Sequence, residues 1–90
     1  MLNYLVGTIK EINEKVVTVL VNGIGFEVRV PKTDGLLIDK EHEFYTYLHW
    51  NQEKGPSFYG FQNELTKIVF LMIISCPKIG PGIAITILSQ

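Results

Sequence analysis

The most constraining stretch of the chain is Val16-Val17-Thr18-Val19-Leu20-Val21-Asn22-Gly23-Ile24-Gly25-Phe26-Glu27-Val28-Arg29-Val30. Its first six residues are mostly β-branched, a type that suits an extended backbone and crowds the preceding turn of a helix. Asn22-Gly23 then supplies two residues that tolerate positive φ, which a type I′ hairpin turn requires. Beyond the turn, apolar Phe26, Val28 and Val30 alternate with charged Glu27 and Arg29. That period of two predicts a hairpin with the apolar set facing a core and the charged pair facing water. Val16 to Val21 is apolar on both faces, so it is expected to be a central strand covered on both sides.

Leu5 to Ile9 reads as a strand before this hairpin. Glu43 to Trp50 and Ser57 to Phe61 read as two after it, joined by the polar turn Asn51 to Pro56. Pro31 ends the third strand, and Lys32 to Glu41 is expected to be a connection holding one helical turn. Five short strands with one longer connection fit an OB-like antiparallel barrel better than a sandwich, because closure removes exposed sheet edges. In so small a barrel Tyr45, Tyr47 and Trp50 are expected to be largely core, which counts against a platform for stacking single-stranded bases.

After Phe61 the apolar period lengthens. Asn63 is placed to cap a helix with Glu64 in its first turn, where a carboxylate suits the helix dipole. Leu65, Ile68, Val69 and Met72 form one stripe, and Phe70, Leu71, Ile73 and Ile74 fill most of the remainder. Such a helix is expected to be covered on more than one side, by its own barrel, by neighbouring helices or by another subunit. Pro77 stops it, and Lys78-Ile79-Gly80-Pro81-Gly82 leads into a second apolar helix, Ile83 to Leu88, on which Ala84 and Leu88 share a face. The expected class is therefore mainly β with α: a barrel over residues 1–62 and an incomplete helix-hairpin-helix region over 63–90.

Composition narrows the function classes. With 47% hydrophobic residues the chain is too apolar to be disordered. A formal net charge of -1 means that any polyanion must be met by local groups. Cys76 is the only cysteine, so an intrachain disulfide and paired-cysteine zinc motifs are excluded, and a reducing cytoplasm is the natural setting. The N-terminus lacks a secretory pattern, and the longest apolar run, Ile68 to Ile74, spans only about a third of a bilayer at roughly 1.5 Å per residue. No membrane partner is expected.

No catalytic group, metal site or cofactor is expected either. His42 and His49 have no third ligand or nucleophile at useful spacing, and both read as ordinary surface or rim residues. There is no phosphate-binding P-loop pattern, and Gly23-Ile24-Gly25 opens a strand where a dinucleotide fingerprint would open a helix. Glu53 beside Lys54 is a lone acid rather than one of a carboxylate pair. The turn between the helices carries more information: Ile79, Gly80, Gly82 and Ile83 surround a helix start whose amides, with the dipole behind them, can hold a backbone phosphate without reading bases. Pro81 suits the first helical turn. An αα-hairpin of this composition also serves packing alone.

Several dispersed segments resemble one family. Val21 to Pro31 looks like its VNGVGYEVHVP segment, Tyr59-Gly60-Phe61 like LYGF, and Tyr45-Thr46-Tyr47-Leu48 like YTHL. Ile79-Gly80-Pro81 with Ala84 and Ile87-Leu88-Ser89 is similar to VGPKLALAILS. In this order and spacing they resemble the N-terminal part of the RuvA family of Holliday-junction-binding proteins. The resemblance implies a homotetramer on which four-way junction DNA lies as a square-planar cross, with a RuvB-type ATPase as motor partner. It implies phosphate contacts at Lys78, Ile79, Gly80, Gly82 and Ile83, a compensating contact at Arg29, and an acidic pin at Glu53 that repels phosphates near the crossover. The chain departs from the pattern at Lys54, where the pin has its second acid, and at Gln52, where an arginine precedes the pair. Lys78 replaces the first hairpin glycine, which is expected to strain the turn, and Gly82 replaces a lysine. The family's second helix-hairpin-helix, linker and motor-gripping domain have no counterpart in these 90 residues, so the chain is expected to be either a fragment or a truncated product, and the rival expectation is a truncated oligomerisation or protein-interaction module that no longer binds DNA.

Overall fold

The computed structural model describes residues 2–90, as β1 (Tyr4–Asn13), β2 (Val16–Val21), β3 (Ile24–Arg29), β4 (Glu41–Asn51), β5 (Gly55–Phe61), α1 (Glu64–Ile74) and α2 (Pro81–Leu88). Asn22 and Gly23 both take positive φ, 52° and 83°, and β2 and β3 pair from Val21 opposite Ile24 to Val16 opposite Arg29. The strands close into a barrel in the order β1-β2-β3-β5-β4. One ladder, Val28–Phe58 and Arg29–Tyr59 between β3 and β5, is parallel, where the sequence suggested antiparallel pairing throughout. Parity explains it: a closed ring with an odd number of strands cannot alternate direction at every step.

β1 continues four residues past the expected Ile9. Its first half pairs with β4 and its second half with β2, with a shift of register between Ile9 and Glu11. The strand turns the barrel's corner there, and Lys10 and Glu11 face solvent at the bend. Charged residues at a corner end the alternation that sequence reading follows. β2 lies between β1 and β3, but only its inner face is covered: Val17 and Val19 are fully buried while Val16, Thr18 and Leu20 are half-buried. A barrel strand has one core face, so the expected double coverage does not arise.

Inside the barrel Ile9, Val17, Val19, Val28, Val30 and Phe44 form one cluster. Leu36 joins it from the β3–β4 connection. That connection contains two tight turns and no helical one: Leu36 N donates to Thr33 O at 3.0 Å and Lys40 N to Leu37 O at 3.2 Å. Gly35 and Asp39 sit at positive φ in these turns, a backbone state incompatible with a helix. The buried hydroxyl of Thr46 is satisfied by donating to Leu2 O at 2.8 Å.

Asn63 caps α1 as expected, its Oδ1 accepting from Thr66 N at 2.9 Å. Phe70 anchors both helices to the barrel, with its ring 4.8 Å from Phe61, 5.5 Å from Tyr47 and 5.6 Å from Tyr59 between centroids. Ala84 and Ile85 of α2 complete this second cluster, with Leu88 packed against it. The stripe formed by Leu65, Ile68, Val69 and Met72 is not covered by this chain's own barrel or second helix: Leu65 is 70% exposed and Met72 65%. Within one chain α1 is therefore covered on one side only. The fourth-strand aromatics also depart from expectation. Tyr45 and Tyr47 are half-buried and Trp50 is 67% exposed, because β4 and β5 run past the barrel's end as a two-stranded arm.

Candidate nucleic-acid interface

The arm is short and well braced. β4 and β5 stay paired out to Asn51 opposite Gly55, and Asn51 Oδ1 accepts from the amides of Glu53 at 2.8 Å and Lys54 at 3.0 Å. That Asx-type arrangement fixes the turn Gln52-Glu53-Lys54, and Gly55 at φ 81° lets the chain re-enter β5. Between the arm's base, the open ends of β2 and β3 and the start of α2 lies a groove of about 480 Å³.

Its walls gather Lys15, Arg29, His49 and Lys54 around Tyr59 and Gly82. Pairing brings them there. Arg29 lies opposite Val16 on one side and Tyr59 on the other, and Val30 N donates to Lys15 O at 2.9 Å, which holds the β1–β2 turn against β3. His49 stacks on Tyr47 with centroids 6.4 Å apart. Arg29 also has an internal partner, Glu27, at 3.7 Å, with the two side chains 48% and 68% exposed. So exposed a pair contributes at most about 1 kcal/mol, which leaves the guanidinium free to take a stronger anion.

α2 offers the groove its N-terminus. Gly80 is the N-cap, no side chain caps the helix, and Pro81 holds the first position. Its first intrahelical bond runs from Ala84 N to Gly80 O at 3.1 Å, which leaves the amides of Gly82 and Ile83 without an acceptor among the described residues. Of the residues expected to contact DNA, Arg29 and Gly82 line the groove itself. Lys78, Gly80 and Ile83 flank the same helix start, while Ile79 is half-buried and its amide is committed to Cys76 O at 3.3 Å. Glu53 stands exposed at the arm's tip. Lys15, His49 and Lys54 were missed as groove residues. The hairpin register, which sets Lys15 beside Arg29, and the alternation of β4 were the signals that could have found the first two.

Lys78 adopts φ 68°, so the residue replacing the family's hairpin glycine does carry the left-handed backbone that glycine would favour. His42 is a structural residue, its Nε2 accepting from Leu37 N at 3.3 Å. Among the described residues no group of three or more His, Cys, Asp or Glu is placed to hold a metal ion, and no helix is long and apolar enough to cross a membrane.

The family model of the RuvA N-terminal domain matches residues 1–60, two thirds of the chain and nearly all of the barrel. The chain belongs to the RuvA N-terminal domain family. Three RuvA proteins, each described as a Holliday junction branch migration complex subunit, extend the likeness through the helices. That of Tropheryma whipplei is 37% identical over 89 residues, that of Acholeplasma laidlawii 35% over 89, and that of Desulforamulus reducens 32% over 91. These alignments take in 99%, 99% and 100% of this chain but only 45%, 47% and 45% of the relatives. The chain thus spans less than half the length of the RuvA proteins it matches.

Proposed function

We propose that this RuvA-family chain is the phosphate-gripping part of a subunit that binds four-way junction DNA, in the service of branch migration during recombination and repair. The single observation that carries the reading is the groove, where Lys15, Arg29 and Lys54 converge on the uncapped start of α2 in a chain whose formal net charge is -1. Local convergence of cations against that overall balance is what a backbone site needs: amides and helix dipole position a phosphate, and cations supply affinity. On this reading the barrel, residues 1–62, and the helical region, 63–90, act together. The protein binds and does not catalyse. ATP hydrolysis belongs to a separate RuvB-type motor, assembly is a homotetramer, and the setting is the cytoplasm.

A gel-shift comparison of a four-way junction with linear duplex of equal length tests it. Tighter junction binding that weakens steeply with salt is expected, with a log–log slope of about −0.9 for each phosphate neutralised. Equal affinity for the two DNAs removes the reading. A second reading has its own observation, the exposed Leu65 and Met72 on α1: an oligomerisation module without DNA. Self-association through that stripe would resist added salt, whereas phosphate binding would not.

A further inference from the structure

Trp50 is the chain's only tryptophan, and it stands 67% exposed near the tip of the β4–β5 arm, one residue pair from the turn. We propose that Trp50 is a stacking platform for an unpaired nucleobase, so that the arm engages single-stranded nucleotides as well as duplex backbone. The inference deepens the phosphate-groove reading and rests on it.

Three observations converge on this. An indole is the largest apolar side chain available, and its burial would contribute more to a small core than that of most residues. Here it is left in water on a rigid support, the arm braced by both hydrogen bonds to Asn51. Its cross-strand neighbour is Pro56, another flat and stiff ring. Second, side chains alternate faces along a strand, and His49 and Asn51, the residues on either side, both line the cationic groove. Trp50 therefore belongs to the opposite face of the same narrow ribbon. Third, Lys54 closes the arm's turn and lines the groove. A single strand crossing the arm can leave a phosphate against Lys54 on one face and lay the attached base on the indole on the other. A paired base cannot do this, since its faces are taken by its neighbours in the stack. The ligand is thus an unpaired base of any identity, because every base offers a π face.

The indole itself reports the contact. Titrating the 90-residue chain with oligothymidylate is expected to quench Trp50 emission to saturation, while an abasic sugar-phosphate oligomer of equal length and charge leaves it unchanged. In anisotropy measurements with labelled oligothymidylate, Trp50→Ala is expected to weaken binding about 5- to 100-fold and Trp50→Phe to retain most of the affinity. Duplex affinity and its salt slope should stay within twofold for both variants. Equal quenching by the abasic oligomer overturns the proposal, as does wild-type oligothymidylate affinity in Trp50→Ala. So does an emission that changes with protein concentration alone, which would mean that a second chain covers the ring. The two readings fail differently. If the groove is not a phosphate site, duplex binding is absent; if only the platform is wrong, salt-dependent duplex binding persists while the oligothymidylate leaves Trp50 emission unmoved.

Discussion

Lys78→Gly separates what the α1–α2 turn does for stability from what it does for DNA. Lys78 sits at φ 68°, in the left-handed region where a Cβ crowds the following carbonyl. Holding a non-glycine residue there costs about 1–2 kcal/mol. Glycine removes that strain, but its greater freedom in the unfolded chain returns about 0.5–1 kcal/mol of the gain. The net stabilisation lies between about 0 and 1.5 kcal/mol and centres at about 0.75 kcal/mol, which for a domain of this size raises Tm by roughly 3–6 °C. Lys78→Ala is the control, since it discards the charge and keeps the Cβ, and it should not raise Tm. Thermal unfolding followed by circular dichroism reads both. A Lys78→Gly protein that melts at or below the wild-type temperature would refute the strain argument. If the ammonium also meets a phosphate, both variants lose about one unit of salt slope in DNA binding, so the glycine variant would be more stable and a weaker binder at once.

Phe70→Ala should destabilise the fold by about 3–5 kcal/mol in urea denaturation, since it empties the contact by which Phe61, Tyr47 and Tyr59 hold both helices. A loss under about 1 kcal/mol would mean that the helices are anchored elsewhere. Glutamate at both Leu65 and Met72 should abolish any self-association seen by light scattering and leave Tm nearly unchanged, because both side chains already face solvent. Tyr4 donates to Glu43 at 2.6 Å, and that hydrogen bond to a carboxylate pushes its pKa up to about 12. The neutral phenol is the form that is held, so its contribution is whole below the ordinary value of 10.0 and is lost as pH rises through about 12. An ultraviolet titration should show Tyr4 ionising late, and Glu43→Gln should bring it back towards the ordinary value of 10.0.

What could be read in advance follows the range of the forces involved. Asn22-Gly23, the alternation from Phe26 to Val30 and the Asn63 cap are local devices, and the structure keeps all three. The elements misjudged depend on contacts distant in sequence. No local signal says that Lys10 and Glu11 lie at a bend where β1 exchanges one partner strand for another. None shows that β4 outruns the barrel, which is why Trp50 was assigned to a core that ends before it. Helical reading of Leu36-Leu37-Ile38 failed because Leu36 alone is drawn into the barrel, with tight turns on either side. The groove was half legible. Arg29 and Gly82 were picked out singly, but only closure of β3 onto β5 brings a strand end and a helix start to the same place.

The departures from the family's pattern amount to a displacement of charge along the arm. Glu53 keeps one acid at the tip, and where the second would stand, Lys54 lines the groove beside Arg29 and Lys15. On the proposed reading, a positive residue moved from the repelling point to the gripping surface would weaken the force that parts strands at a crossover and strengthen the hold on any single backbone. Nothing stands within 4 Å of where a Cβ would be at Gly82, so on the same reading the open helix amide would stand in for the absent lysine. On the proposed reading this chain should therefore favour four-way over linear DNA less strongly than relatives with two acids, and Lys54→Asp should move both properties together. Total affinity should fall and the salt slope flatten by about one or more, while the ratio of junction to duplex affinity rises. A ratio that falls along with the affinity would show that Lys54 holds backbone without opposing the parting of strands at the crossover, and that the arm's charge does not govern which DNA is chosen.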